Sequence, residues 1–215
     1  MMKFTCSGPA LVARLSVSLG LLLVLSCVAH GKTKTASVAT YMDMPVGLVA
    51  VYQVKSADRT MEIKSKVTDG KRTKNGKMVT VVQHVLKPAI KVVQRYYLTD
   101  QQVIQVVMDG AVEKKKSVVI QGPIAVGTKW SKVLDSIFIK SSIVDTKATV
   151  KTPAGTFKGV LVVKQVINLG GPNKWLNVVS HYAPGVGLVS QTTTGLKKMT
   201  LTLKTLTRPK RGKAR

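Results

Sequence analysis

From Leu48 onward, apolar and polar side chains alternate with a period of two, and no sustained 3.6-residue apolar stripe with good caps interrupts them. Met61-Glu62-Ile63-Lys64-Ser65-Lys66-Val67 is the clearest stretch, with Met61, Ile63 and Val67 on one face and Glu62, Lys64 and Lys66 on the other. Successive strand side chains point to opposite sides, so this spacing predicts a strand with one face on a core and one in water. Ile90 to Leu98 repeats the pattern, setting Ile90, Val92, Tyr96 and Leu98 against Lys91 and Arg95. In Thr200 to Thr205, Leu201 and Leu203 face away from Thr200, Thr202 and Lys204.

Turn signals separate these runs at hairpin spacing: Asp69-Gly70, Asn75-Gly76, Thr99-Asp100, Asp109-Gly110, Gly170 to Asn173, and Thr194-Gly195. Consecutive hairpins predict an all-β antiparallel meander of about 10 to 12 strands, a number that favours a curved sheet, incomplete barrel or sandwich over a flat sheet. The 34 valines point the same way, because a side chain stiff at χ1 suits a pleated, half-buried surface. A single β domain over residues 44–206 accommodates the pattern. An internal echo, in which Tyr97 follows Gly47 and Tyr182 follows Gly127 at similar spacing, suggests two related halves, 44–120 and 123–206; coincidence in a valine-rich chain is the competing reading.

The first residues read as an address. Lys3 and Arg14 precede an uncharged run from Leu15 to Val28, too short for a comfortable span of roughly 20 residues and typical of a signal peptide. An uncleaved N-terminal anchor is the plainer alternative. Val24-Leu25-Ser26-Cys27 has the form of a lipobox, which would end the leader at residue 26 and make Cys27 the lipid attachment site. Small residues at Cys27 and Ala29 equally suit ordinary cleavage after residue 29, leaving His30 as the new N-terminus. A lipid on Cys27 would hold the domain at a membrane through about 0.8 kcal/mol per buried CH₂. Residues 27–43 then form a polar tether.

Two motifs are sharper than the rest. In Val150 to Phe157, Thr152-Pro153-Ala154-Gly155 places proline second and glycine fourth in a turn, with Phe157 in the following strand. In His181 to Val189, Pro184 then Gly185 suits a turn whose third residue takes a positive φ, flanked by Tyr182 and Gly187. The order VGTKW (126–130), VKTPAGTFKGVLVVK (150–164), HYAPGVGLV (181–189) resembles a broad group of signal-peptide-bearing bacterial envelope proteins and lipoproteins of unknown function, over roughly residues 44–206. The resemblance implies an exported antiparallel β-protein, often lipid-anchored, with no established enzymatic activity. The chain departs from the group at Leu48 to Tyr52, where a VG-x-x-W element tends to recur, and in its basicity.

That basicity is considerable: 34 Lys and Arg against 9 Asp and Glu, a net charge of +25. Residues 1–26 carry only Lys3 and Arg14, so the processed chain keeps 32 basic and 9 acidic side chains, or +23. Twenty-seven of the basic residues are lysine, a hydrated point charge poorly suited to reading bases, and residues 27–215 hold only nine aromatics for stacking. Nucleic acid is therefore disfavoured as a partner, and an anionic lipid or polysaccharide surface fits better. A merely solvated lysine-rich surface that discourages strand-edge pairing explains the charge as well. Residues 207–215 form a basic tail expected to be disordered. The oligomeric state is not fixed by anything in the sequence.

Candidate chemistry is sparse. Both cysteines, Cys6 and Cys27, lie in the leader region, so the body has no disulfide and no thiol nucleophile. His84 and His181 read as satisfied or half-buried sheet histidines, and the carboxylates are scattered, several of them at turns, without a metal-ligand or acid–base spacing. No catalytic, cofactor-binding or metal-binding residue is assigned. Trp130, Trp175, Tyr182 and Phe157 are expected to fill the core, or else to line an apolar concavity. The expectation is an exported non-enzymatic envelope protein, periplasmic, membrane-anchored or extracellular, whose lysines associate with anionic material. The alternative is a small-ligand or lipid binder using an apolar groove inside the curved sheet.

Overall fold

The computed structural model describes residues 37–85, 89–134, 137–171 and 173–209. The leader, Cys27, His30 and the end of the basic tail lie outside them. The described residues fall within one compact unit.

Among the described residues, twelve antiparallel strands build a single sheet: β1 (Val49–Ser56), β2 (Thr60–Thr73), β3 (Gly76–Val85), β4 (Ile90–Leu98), β5 (Gln102–Asp109), β6 (Val112–Gln121), β7 (Lys129–Leu134), β8 (Ile137–Thr152), β9 (Gly155–Asn168), β10 (Trp175–Ala183), β11 (Gly187–Gly195) and β12 (Met199–Thr207). Their spatial order is β6-β5-β4-β3-β2-β1-β12-β11-β10-β9-β8-β7, so the first six strands and the last six are two meanders joined by the β1–β12 pair. The all-β antiparallel meander expected from the alternation is the fold observed.

The sheet curls until its two ends meet, and it stops short of closure. Tyr96 on β4 and Tyr182 on β10 stand six strands apart in the order, yet their phenols feel each other electrostatically inside the roll. β6 and β7 are the two sheet edges and form no ladder with each other. In its place, the Trp130 indole Nε1–H donates to the Val118 carbonyl at 3.3 Å, and the Lys132 ammonium donates to the Lys116 carbonyl. A long edge would otherwise expose unpaired backbone groups, the usual template for aggregation.

One end of the roll is plugged. A 3₁₀ turn, Val38–Tyr41, is capped by Ser37, whose Oγ accepts from the Ala39 N–H at 3.3 Å. Val38, Tyr41, Met42, Met44 and Leu48 are buried there with Val79, Leu98, Ile120, Ile143 and Leu161 from both meanders. The plug is held by the β10–β11 turn: the Gly185 N–H donates to the Thr40 carbonyl at 2.8 Å, and Gly187 (φ +89°) leaves room for Met44, whose sulfur would lie 3.1 Å from an added Cβ. A second buried cluster, including Tyr52, Val160, Val189 and Leu203, packs along the β1–β12 join with Phe157 against it.

One turn expectation fails. Asp69-Gly70 does not connect two strands but lies inside the 14-residue β2, where the register with β3 slips between Val67 and Asp69. The Asp69 carboxylate accepts from the Gly70 N–H at 2.8 Å, so the local signal of a turn is spent on a bulge. The turn falls instead at Lys74-Asn75, next to Gly76, where Thr73 pairs with Gly76.

Candidate ligand site

Opposite the plug, the roll is open, and its inner face carries a cleft of about 720 Å³. Register fixes its wall. Val54 faces inward on β1 beside Met61 of β2, Ser56 pairs with Met199 of β12, Met199 with Thr193 of β11, and Thr193 with Val178 of β10. Leu176, two residues from Val178, extends the same face. Val54, Val178 and Thr193 are buried, and apart from Thr193 and Ser56 the wall is aliphatic or thioether. The β1–β2 and β11–β12 turns form the rim, bringing Arg59, Lys197 and Lys198 to the mouth with Asp58 as the single acid.

Two residues further in along the same strands, roughly 7 Å deeper at strand rise, the chemistry changes. Tyr52, Ile63, Gln191 and Leu201 enter a chamber of about 260 Å³ that also takes Gln83, Gln94, Gln105, Tyr96 and Tyr182, with Met42 and Met44 from the plug. No charged side chain lines it. Its hydrogen bonds are largely internal: the Tyr96 hydroxyl donates to Gln94 Oε1 at 2.7 Å and accepts from Gln105 Nε2 at 3.2 Å, and the Tyr52 hydroxyl donates to the Leu188 carbonyl at 2.9 Å. Gln191 Nε2 donates to the buried Ser180 at 3.0 Å. Burial, and then the neighbouring Tyr182, holds the Tyr52 phenol well above the usual range; burial followed by Tyr182 and Tyr52 does so for Tyr96. Tyr182 is pushed up to about 12 by burial, against a smaller opposing effect of its hydrogen bond with Ser180.

The outer face differs in character. Lys129, Lys140 and Lys164 border a depression of about 520 Å³ over β7, β8 and β9, with Ser131, Ser142 and Val166 between them. The Lys140 ammonium sits 5.3 Å from the centre of the Phe138 ring.

Of the motif residues, Thr152, Pro153, Gly155 and Phe157 make the β8–β9 hairpin, where Thr152 pairs with Gly155 and Thr152 Oγ1 accepts from the Ala154 N–H at 3.2 Å. Pro184, Gly185 (φ +65°) and Gly187 make the β10–β11 turn at the plugged end, closed by the Val186 N–H to the Ala183 carbonyl at 3.1 Å. Of these, Tyr182 alone reaches the chamber. Trp130 packs on the core, whereas Trp175, expected inside, is 41% exposed because it starts β10 at the open end with its side chain on the outer face.

His84 is exposed on the outer face of β3 and does not have the half-buried setting expected of it. His181 is half-buried on the outer face of β10; burial lowers its basicity, opposed by a backbone hydrogen bond with Ser190, and its Nδ1 has no partner. Neither forms an ion pair with a carboxylate among the described residues. Among those residues no group of three or more His, Cys, Asp or Glu side chains could hold a metal, and no helix is long and apolar enough to cross a membrane.

The glutamines were the missed signal. Gln94 lies between Val92 and Tyr96, Gln105 between Val103 and Val107, and Gln191 between Val189 and Thr193, each in the apolar phase of its strand. A polar residue in that phase faces inward and marks either an internal network or a cavity.

No family model and no curated protein matches the chain. Two solved structures are similar in fold. One is of a "putative lipoprotein" from Parabacteroides distasonis ATCC 8503, with a TM-score of 0.53 and 16% identity over 78% of this chain and 98% of that one. The other is of a "putative exported protein with YmcC-like fold" from Bacteroides fragilis NCTC 9343, with a TM-score of 0.54 and 14% identity over 77% and 97%. At this identity the likeness concerns the fold.

Proposed function

We propose that the chain is an exported cell-envelope protein without catalytic activity that holds an amphipathic anion, such as a single acyl chain with an acidic headgroup, in the open-end cleft. The observation that carries this reading is the cleft itself: an apolar wall of about 720 Å³, within the size range of small-molecule sites, under a rim of Arg59, Lys197 and Lys198. The wall takes hydrocarbon and the rim a carboxylate or phosphate. The signal-peptide-like leader and the two fold neighbours, described as lipoprotein and exported protein, support the envelope location. Lipidation at Cys27 gives such a protein its membrane attachment.

Titration of the purified protein with laurate, below its micellar concentration, tests the ligand reading. Saturable binding at one site is expected, weakened at least tenfold by the paired substitution Lys197→Glu and Lys198→Glu and lost when Val178→Trp fills the wall. Non-saturating uptake, or binding that ignores both variants, would contradict it. Intact mass of the processed protein tests attachment: a diacylglyceryl-modified N-terminal Cys27 is expected, and an unmodified chain beginning at His30 would end that part of the reading.

A further inference from the structure

The exposed apolar side chains are not scattered. Of the nine large hydrophobic side chains exposed to solvent among the described residues, six lie at the open end of the roll, in or beside its hairpin turns: Ile90, Val112, Val133, Leu169, Trp175 and Leu196. Val46 and Val126 are at the plugged end and Val144 is within β8. Isolated exposed apolar residues are ordinary; a rim of them along one end of a sheet marks a surface built for an apolar or interfacial environment.

Basic residues stand among them: Lys91, Arg59, Lys114, Lys132, Lys174, Lys197 and Lys198 occupy the same turns and strand ends. Positive charge is spread over the whole domain and by itself selects no end. The coincidence of charge with protruding aliphatic groups and a half-exposed tryptophan selects this one. Tryptophan favours the headgroup layer of a bilayer, aliphatic tips enter the acyl boundary, and lysines are drawn to anionic headgroups.

We propose that the open end docks onto an anionic bilayer, so that residues 57–59, 110–111, 169–171, 173–174 and 196–198 lie in the headgroup layer with Trp175 and Leu196 inserted. The docking depends on the rim and not on the cleft being occupied. It would, however, turn the mouth of the cleft toward the lipid.

Sedimentation with vesicles of phosphatidylcholine and phosphatidylglycerol (3:1) in 0.1 M salt is the test. The protein made without residues 1–27, and therefore without a lipid, is expected to co-sediment, with at least tenfold weaker partitioning onto pure phosphatidylcholine. Trp175→Glu and Leu196→Glu should each lower partitioning at least fivefold. Val126→Glu, at a still more exposed valine of the plugged end, should change it less than twofold. In a Trp130→Phe background, emission from Trp175 should shift to the blue on adding anionic vesicles.

Equal losses in all three glutamate variants would mean that charge alone drives association and would overturn the proposal. So would unchanged partitioning in both Trp175→Glu and Leu196→Glu, or binding without a blue shift. Capture by an acidic polysaccharide in place of vesicles would also overturn it. Laurate binding by the Trp175→Glu protein in solution separates a failure of docking from a failure of the cleft reading.

Discussion

The Trp130 indole donates to the Val118 carbonyl across the one place where the rolled sheet has no ladder, at 3.3 Å. This bond and the Lys132 contact beside it stand where backbone pairing would otherwise close the roll. Trp130→Phe keeps most of the ring in the core and deletes the donor, leaving the Val118 carbonyl without it. A loss of about 1–2 kcal/mol is expected in urea unfolding, with amide exchange accelerated in β6 and β7 more than in β1 and β12. Uniform acceleration, or none, would show that the seam is held by something else.

The β1–β12 pair is where the two meanders become one sheet, and Leu203 is fully buried on its inner face. Leu203→Ala should cost about 2–5 kcal/mol, the usual range for a leucine deleted from a packed core. Because both meanders also share the plug, circular dichroism and tryptophan emission should still report one coincident transition. Two separated transitions would mean that the halves fold independently.

Gly76 and Gly110 make a controlled comparison of backbone geometry. Gly76 has φ +148° and an added Cβ would come 1.9 Å from the Leu98 carbonyl oxygen, a backbone atom that cannot swing aside. Gly110 has φ +60° with open space around it. Gly110→Ala should therefore cost about 1 kcal/mol, the conformational penalty alone, and Gly76→Ala more than about 3 kcal/mol. Thermal melts of the two variants that coincide would contradict the described turn.

The chamber tyrosines set the alkaline limit. Tyr52, Tyr96 and Tyr182 are all raised above the ordinary value of 10.0, with burial the largest cause, so the folded protein holds phenol protons that the unfolded chain releases. Their contribution to stability is complete below pH 10 and is lost progressively as pH rises from 10 toward the folded values, of which that of Tyr182, at about 12, is the lowest. Phenolate absorbance from these three should appear together with loss of the sheet spectrum. Ionisation near pH 10 with the sheet intact would show that the chamber is open to water.

How much of this was legible follows from what kind of distance each feature spans. The faces of β2, β4 and β12 could be read residue by residue, because alternation is local and Met61, Ile63, Leu201 and Leu203 announce themselves. The bulge at Asp69 was not legible: an Asp-Gly pair followed by a basic run looks like a turn, and only pairing with β3 shows that the strand continues. Trp175 misled because phase gives a side chain's face but not whether anything covers it at the end of a sheet. The cleft joins residues 54, 61, 178, 193 and 199, whose meeting depends on how far twelve strands curl, a property no single window contains.

The central claim is that the roll receives a ligand from its open end onto the inner face. Methyl nuclear magnetic resonance of the protein titrated with laurate tests it most directly. Saturating shifts are expected at Val54, Met61, Leu176, Val178 and Met199, with Val126 and Val144 unmoved. Shifts confined to outer-face methyls, or no shift at concentrations that fill the site by titration, would contradict it.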